Sequence, residues 1–224
     1  MSAAHPHAIP RELMVLRVCR ELRDGMVVNL GLGIPTLLAD VIPNDIDVLL
    51  HGENGVLGYG PYAKPEEEDA DTINPGGARV TLRPGASFFD SAESFALVRG
   101  GHVDIAVLGA MQMSERGDLA NWMVPARGVG GIGGAMDLAA GAKRVIAVME
   151  HETKDGHAKL VRACSYPLTA RACVHTIVTD LAVLEIVPEG MLLKELAPGV
   201  SAAEVQARSE PRLLIAPDLC EMRF

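Results

Sequence analysis

Glu53 follows a short apolar run, Val48-Leu49-Leu50, inside a stretch, Asp47 to Pro61, that carries four glycines. Such a run has the make-up of a buried strand. Where a strand of that kind stops at glycine, the backbone turns sharply and a ligand can approach closely, so a carboxylate there occupies a catalytic position. The same residue also reads as a solvated acid in a surface turn, and the local pattern alone does not choose. A second feature is Gly128-Val-Gly130-Gly131-Ile-Gly133-Gly134-Ala135, with five glycines in seven residues ahead of an Ala-rich helical turn. Backbone N–H groups of Gly133, Gly134 and Ala135 at a loop-to-helix boundary can receive developing negative charge with no side chain in the way. A glycine turn kept only for packing fits as well.

A third feature is Gly31-Leu-Gly33-Ile-Pro35-Thr36, which follows the apolar segment Met26 to Leu30. It satisfies part of the dinucleotide fingerprint, with Glu53 about 20 residues further on as that motif requires. Thr36 stands where the third small residue should allow close helix–strand packing. A tight strand–helix turn without any ligand is an equal reading.

These residues need a frame to hold them. Arg11 to Arg23 reads as an amphipathic helix with Gly25 past its end. Met26–Leu30 is a buried strand, and Pro35 suits the first turn of a short helix reaching Ile42. Lys64 to Asp71 is a polar, proline-broken loop. Arg79–Arg83 alternates like a strand that Pro84-Gly85 closes. Asp90 caps a helix with Glu93 three residues on. Val103–Leu108 and Arg144–Met149 are core strands, Gln112 to Ala120 is a hairpin or loop, and Asn121–Val124 is a short strand. His175–Thr179, Leu181–Val187 and Leu192–Leu196 are late strands, before a helix capped by Ser201 with Glu204 three residues on. Strands recurring with helices between them predict a layered, mostly parallel α/β sheet with flanking helices, in one domain over 1–224 with a flexible 1–10.

The bulk numbers narrow the function classes. A composition of 49% apolar and 22% charged residues is that of a folded globular chain. A net charge of −9 without a basic run argues against nucleic-acid binding. No apolar stretch reaches membrane-spanning length, and the N-terminus lacks the pattern of a signal peptide. Four cysteines without metal spacing imply no metal and a reducing, cytoplasmic compartment.

Taken together, the motifs resemble the family I coenzyme A transferases, on the side of the β subunit of 3-oxoacid CoA-transferases. Glu53-Asn54-Gly55 with Gly58-x-Gly60-Pro61 looks like that family's catalytic motif. Gly31 to Thr36, Thr81 to Phe88, Phe95 to His102, Leu108-Gly109-Ala110, Gly117 to Pro125, Gly133 to Leu138, Glu150-His151, Pro167 to Thr169 and Thr179 to Leu181 extend the likeness over most of the chain. Two departures are His51-Gly52, where the family usually has a small Ser before the glutamate, and Pro125-Ala-Arg127 in place of Pro-Gly-Lys.

The resemblance implies a NagB/RpiA-like fold and CoA transfer from an acyl-CoA such as succinyl-CoA to a 3-oxo acid such as acetoacetate. It implies Glu53 as nucleophile, with a glutamyl-CoA thioester on the path. It places an oxyanion and CoA-thiol contact at Gly133, Gly134 and Ala135, while Asn54, Gly55, Gly31 and Gly33 are candidate supporting residues. It implies no permanently bound cofactor, and an α subunit, commonly in an α2β2 assembly, without which this chain is inactive. Lys154 and Arg127 are candidate CoA-phosphate contacts, and His51 could sense charge beside Glu53 or simply pack. Specificity for 3-oxoadipate or for acetate and butyrate stays open, as does a non-catalytic ligand-sensing role.

Overall fold

The computed structural model describes residues 5–43, 45–128 and 130–224. Helix α1 (Arg11–Cys19) starts behind Pro10, with Glu12 in its first turn and Arg17 in its last, both matching the helix dipole. It buries Met14, Val15, Val18 and Cys19. The helix stops at Cys19 rather than Arg23, because the N–H groups of Arg20, Glu21 and Leu22 turn back to carbonyls three residues earlier. Leu22 is buried all the same.

Strand β1 (Val27–Leu30) leads through Gly31 into a short helix, as expected, which is of 3-10 type and runs Ile34–Asp40 rather than to Ile42. Strand β2 (Leu49–Gly52) turns at residues 53–55 into β3 (Val56–Tyr62), which pairs with β4 (Val80–Phe88). Then follow α2 (Ser91–Arg99), β5 (Ile105–Gly109), the hairpin of β6 (Gln112–Ser114) and β7 (Leu119–Ala120), α3 (Ala135–Gly141) and β8 (Arg144–Met149). The rest comprises β9 (Leu160–Val161), β10 (Thr176–Thr179), β11 (Ala182–Val187), β12 (Gly190–Leu196), α4 (Ala202–Ala207) and β13 (Leu214–Glu221).

A ten-stranded sheet runs β13-β12-β11-β10-β8-β5-β1-β2-β3-β4, and β7-β6-β9 form a small second sheet. The five central strands, β10, β8, β5, β1 and β2, are parallel to one another. Antiparallel hairpins extend the sheet on either side, β2 to β4 at one edge and β10 to β12 at the other, with β13 parallel to β12. The mostly parallel α/β sheet expected from the sequence is present. β10 is buried throughout and β8 over five of its six residues, as strands covered on both faces must be. Helix α1 packs on the 3-10 helix and α2 on α3. Arg17 clamps α1 to β12 through a two-pronged contact with Glu195 at 2.7 and 2.8 Å.

The glycine-rich stretch Gly58-x-Gly60-Pro61 is strand, and β4 continues through Pro84-Gly85. Pro84-Gly85 lies in the edge strand β4, and Pro61 lies in β3 beyond Tyr59, where its pairing with β2 ends, so in both places a missing N–H is harmless. Register shifts along the β3–β4 pair absorb the irregular residues, among them Gly58 at φ 87° and Gly85 at φ 87°. Asn121–Val124 is not a strand but an irregular segment joined to Gly128 by a single bridge at Val124. The caps at Asp90 and Ser201 form as expected, each accepting from the N–H three residues on.

Placing β8 at the centre and β13 at the rim has a measurable consequence. Ile146 is fully buried, and Ile215 is 52% exposed. Ile146→Ala is expected to cost about 2–5 kcal/mol, and Ile215→Ala under about 0.5 kcal/mol. Urea unfolding of the chain measures both, and equal losses would contradict this sheet order.

Candidate active site

The parallel strands end together. Leu30-Gly31, Gly52-Glu53, Gly109-Ala110 and Met149-Glu150 lie at the carboxyl ends of β1, β2, β5 and β8. The chain leaves β1 toward β2 and returns on its other side as β5, so the topological switch point falls between β1 and β5. In open α/β sheets the crevice at such a point is where ligands bind. A cleft of about 310 Å³ lies there, lined by Gly31, Glu53, Gly109, Asn121, Gly134 and Glu150 among others.

Glycine keeps the cleft floor open. A Cβ on Gly31 would stand 3.1 Å from the Leu108 side chain and 3.2 Å from the Val107 carbonyl. Gly33, at φ 88°, supplies the left-handed turn into the 3-10 helix and is not a lining residue. The Gly31 turn therefore opens no α-helix, and the dinucleotide fingerprint fails on its structural context.

Glu53 begins the β2–β3 hairpin turn and is half-buried. Its Oε2 accepts from Asn29 Nδ2 at 3.1 Å. Asn29 sits on the neighbouring strand, fully buried, and also lies 3.0 Å from both the carbonyl and Nδ1 of His51. The other His51 nitrogen, Nε2, is 3.0 Å from Ser94 Oγ on α2. Burial holds the His51 pKa down to about 4, so the ring is neutral at physiological pH. Opposite these residues the start of α3 comes close to Glu53: a Cβ on Gly134 would meet the Phe95 ring at 3.0 Å and Glu53 Cγ at 3.3 Å. The first N–H groups of α3 have no acceptor within the helix. A carboxylate here thus has a fixed donor, the Asn29 amide, on one side and the start of α3 close by on the other.

The other candidates divide. Gly55 closes the hairpin turn at φ 110°, and a Cβ there would fall 2.0 Å from the Phe89 carbonyl oxygen, so glycine is required. Asn54 is exposed and donates to the Ile73 carbonyl at 2.7 Å, tying down the turn rather than orienting Glu53. Gly134 and Ala135 line the cleft with Gly133. Lys154 and Arg127 are exposed. Trp122 is half-buried and donates to the Leu168 carbonyl. Of the Gly128–Gly134 segment, Val129 lies outside the described residues.

Sequence reasoning missed Asn29, Asn121 and Ser94. A signal for the first was available, because Asn29 is the one polar residue in the apolar run from Met26 to Leu30. Asn121 bridges the Gly109 carbonyl and the Thr169 hydroxyl at 3.1 and 2.6 Å. Glu150 lines the far end of the cleft. Against the desolvation that would raise its pKa, hydrogen bonding from Arg11 and the charge of Lys159 hold it below the ordinary carboxylate value. Among the described residues no cluster of three His, Cys, Asp or Glu could hold a metal ion, and no helix is long and apolar enough to cross a membrane.

With this geometry in place the likeness to known proteins can be read. Residues 11–208 match the Coenzyme A transferase family. The chain is 54% identical over 200 residues to the β subunit of a probable succinyl-CoA:3-ketoacid coenzyme A transferase of Bacillus subtilis, covering 89% of this chain and 93% of that one. It is 52% identical over 202 residues to the β subunit of a 3-oxoadipate CoA-transferase of Pseudomonas putida, covering 90% and 94%. Among solved structures, an acyl-CoA transferase apoenzyme from Escherichia coli O157:H7 shares the fold with a TM-score of 0.79 at 22% identity. That match takes in all of this chain and 45% of that longer polypeptide. This chain belongs to the coenzyme A transferase family, as a β subunit of the family I type.

Two buried neutral histidines make stability depend on pH. His51, held to about 4, and His151, held by burial to about 3, both lie below the ordinary 6.5. As pH falls through 6.5 the unfolded chain takes up protons that the folded chain refuses, so stability is full above that value and declines toward pH 4 and below. Asp180, whose carboxyl is pushed up by burial, works in the opposite sense and offsets part of the loss. Between pH 7 and pH 5 the net loss is expected to be roughly 2–4 kcal/mol. Urea midpoints at the two pH values measure it, and a flat profile would show that the two rings titrate normally.

Proposed function

We propose that this chain carries the nucleophile of a 3-oxoacid CoA-transferase, moving CoA from an acyl-CoA such as succinyl-CoA to a 3-oxo acid such as acetoacetate. The observation that supports this reading most is the setting of Glu53, at the carboxyl end of a central strand, backed by the Asn29 amide and faced by Gly134. CoA thioesters are substrates here, and no permanently bound cofactor is needed.

In this reading the Glu53 carboxylate attacks the acyl-CoA carbonyl carbon. The C–S bond breaks, CoA leaves as thiolate, and an acyl-glutamyl anhydride remains. The thiolate then attacks the glutamyl carbonyl, the first acid departs as carboxylate, and Glu53 holds CoA as a thioester. A second carboxylate reverses both steps. No proton moves in any of them, so no general base is required, in contrast to a serine or cysteine nucleophile. Each addition places negative charge on a carbonyl oxygen. The N–H groups of Gly134 and Ala135, with Gly133 leaving the approach open, are the donors assigned to that charge.

The anhydride and thioester survive only where water is kept out. In this chain the cleft is open, and two of its apolar lining residues, Leu32 and Ile132, are 63% and 46% exposed. A partner that covers them completes the site. The α subunit, implied by relatives that are each one subunit of a larger enzyme, is assigned that place in an α2β2 complex. The four unpaired cysteines suit a reducing cytoplasm. 3-Oxoadipate, acetate or butyrate as the acid is the second reading, favoured by the 3-oxoadipate relative.

Mass spectrometry of the α–β complex after incubation with succinyl-CoA or acetoacetyl-CoA tests the mechanism. A CoA adduct on the peptide holding Glu53 is expected, discharged by free acid and missing in Glu53→Gln. No adduct with any acyl-CoA, in a complex that binds CoA, would remove Glu53 from the role and leave a ligand-binding module. Gly134→Ala, whose methyl group crowds Glu53 and Phe95, is expected to slow adduct formation about 10-fold or more. Wild-type rates in that variant would show that α3 does not bear on the reacting carboxylate.

A further inference from the structure

The Asn29 amide offers two hydrogens to three acceptors: the His51 carbonyl at 3.0 Å, His51 Nδ1 at 3.0 Å and Glu53 Oε2 at 3.1 Å. Its own Oδ1 is buried without a partner. An unpaired buried acceptor is costly, so this amide is held by its nitrogen side alone. It would turn over if a donor appeared on that side, and turning it over would present Oδ1 to the Glu53 carboxylate. What decides is the proton on His51.

That proton is fixed from the other side of the ring. Ser94 Oγ, fully buried on α2, lies 3.3 Å from the Gly52 carbonyl oxygen and donates to it. The same Oγ lies 3.0 Å from His51 Nε2, and a hydroxyl that spends its hydrogen on the carbonyl can only accept there. A proton on Nε2 leaves Nδ1 a bare acceptor, which matches the NH2 end of Asn29 at 3.0 Å. Phe89 stacks beside the imidazole, with centroids 6.2 Å apart and planes 18° apart.

We propose that His51 and Ser94 are positioning residues for the reaction assigned to Glu53: Ser94 selects the Nε2–H tautomer of His51, and His51 thereby holds the Asn29 N–H toward the carboxylate. They touch neither substrate nor reacting atoms. Without Ser94 the Nδ1–H tautomer becomes accessible, Asn29 Oδ1 finds its missing donor, and the amide repels the carboxylate it had held.

The inference rests on the CoA-transfer reading, and the experiment separates the two. In the α–β complex, the rate of CoA-adduct formation at saturating acyl-CoA is measured together with the acyl-CoA concentration giving half that rate. Ser94→Ala and His51→Leu are expected to lower the rate about 10-fold or more, as misplaced reacting groups do, with the half-saturating concentration unchanged. His51→Asn, which puts a carbonyl oxygen near the place of Nδ1, is expected to recover most of the rate. A role in packing alone predicts the reverse order, since Leu fills the apolar surroundings better than Asn. Histidine 15N spectra of the same complex should show His51 protonated at Nε2 in the wild type and at both nitrogens in turn in Ser94→Ala. Wild-type rates in Ser94→Ala and His51→Leu, or a proton on Nδ1 in the wild type, would overturn the assignment. Absence of any adduct in the wild-type complex would overturn the CoA-transfer reading, and this assignment with it.

Discussion

The buried amide of Asn29 is the contact on which the site's arrangement turns. It lies on β1, between β2 and β5, where every neighbouring side chain on the strand is apolar. A polar group in that place must find partners, because burying an amide unpaired is costly. Its partners, His51 and Glu53, come from the strand beside it and the turn that follows. The need to pair the NH2 end of this amide thus ties together the end of β2 and the direction in which Glu53 points. The turn can be that tight only because Gly55 accepts a positive φ under the Phe89 carbonyl. Side-chain hydrogen bonding and backbone freedom specify one geometry together, and neither would do so alone.

A site built at strand ends inherits its openness from the sheet. Parallel strands finish at one level, and glycine stands at or just past the ends of β1, β2 and β5: Gly31, Gly52 and Gly109. The start of α3 lies beyond that end, so Gly133, Gly134 and Ala135 line the cleft together with the strand ends. This is why Gly134 reaches Glu53 although 81 positions separate them in the chain.

What could be read in the sequence follows from how local each feature is. The central strands, the Asp90 and Ser201 caps and the place of Glu53 at the end of a strand depend on short-range pattern, and all were legible. The course of β3 and β4 was not. Gly58, Gly60, Pro61, Pro84 and Gly85 are turn residues by local preference, yet they lie in strands, because β4 is at the sheet edge, Pro61 lies past the part of β3 that pairs with β2, and register shifts take up the glycines. β13 was missed for the same reason, as Pro217 interrupts its pattern while its partner β12 supplies the order. Ser94 escaped notice because nothing in a helical Ser predicts that its hydroxyl meets an imidazole 43 residues away. The family likeness carried Glu53 beyond what its surroundings in the sequence justified.

The Gly31 turn shows why such a likeness had to be weighed against geometry. Strand, glycine turn and a following acid are common to dinucleotide-binding folds and to this one, since both place a ligand at a switch point between parallel strands. They part at the next element. A dinucleotide site needs an α-helix whose N-terminus faces the pyrophosphate, whereas Ile34–Asp40 is a 3-10 helix that Thr36 ties back to the Gly33 carbonyl at 2.7 Å. The acid does not part them: Glu53 accepts from Asn29 through Oε2 alone, and a carboxylate keeps lone pairs for either use, so the element after the turn is what separates the two patterns.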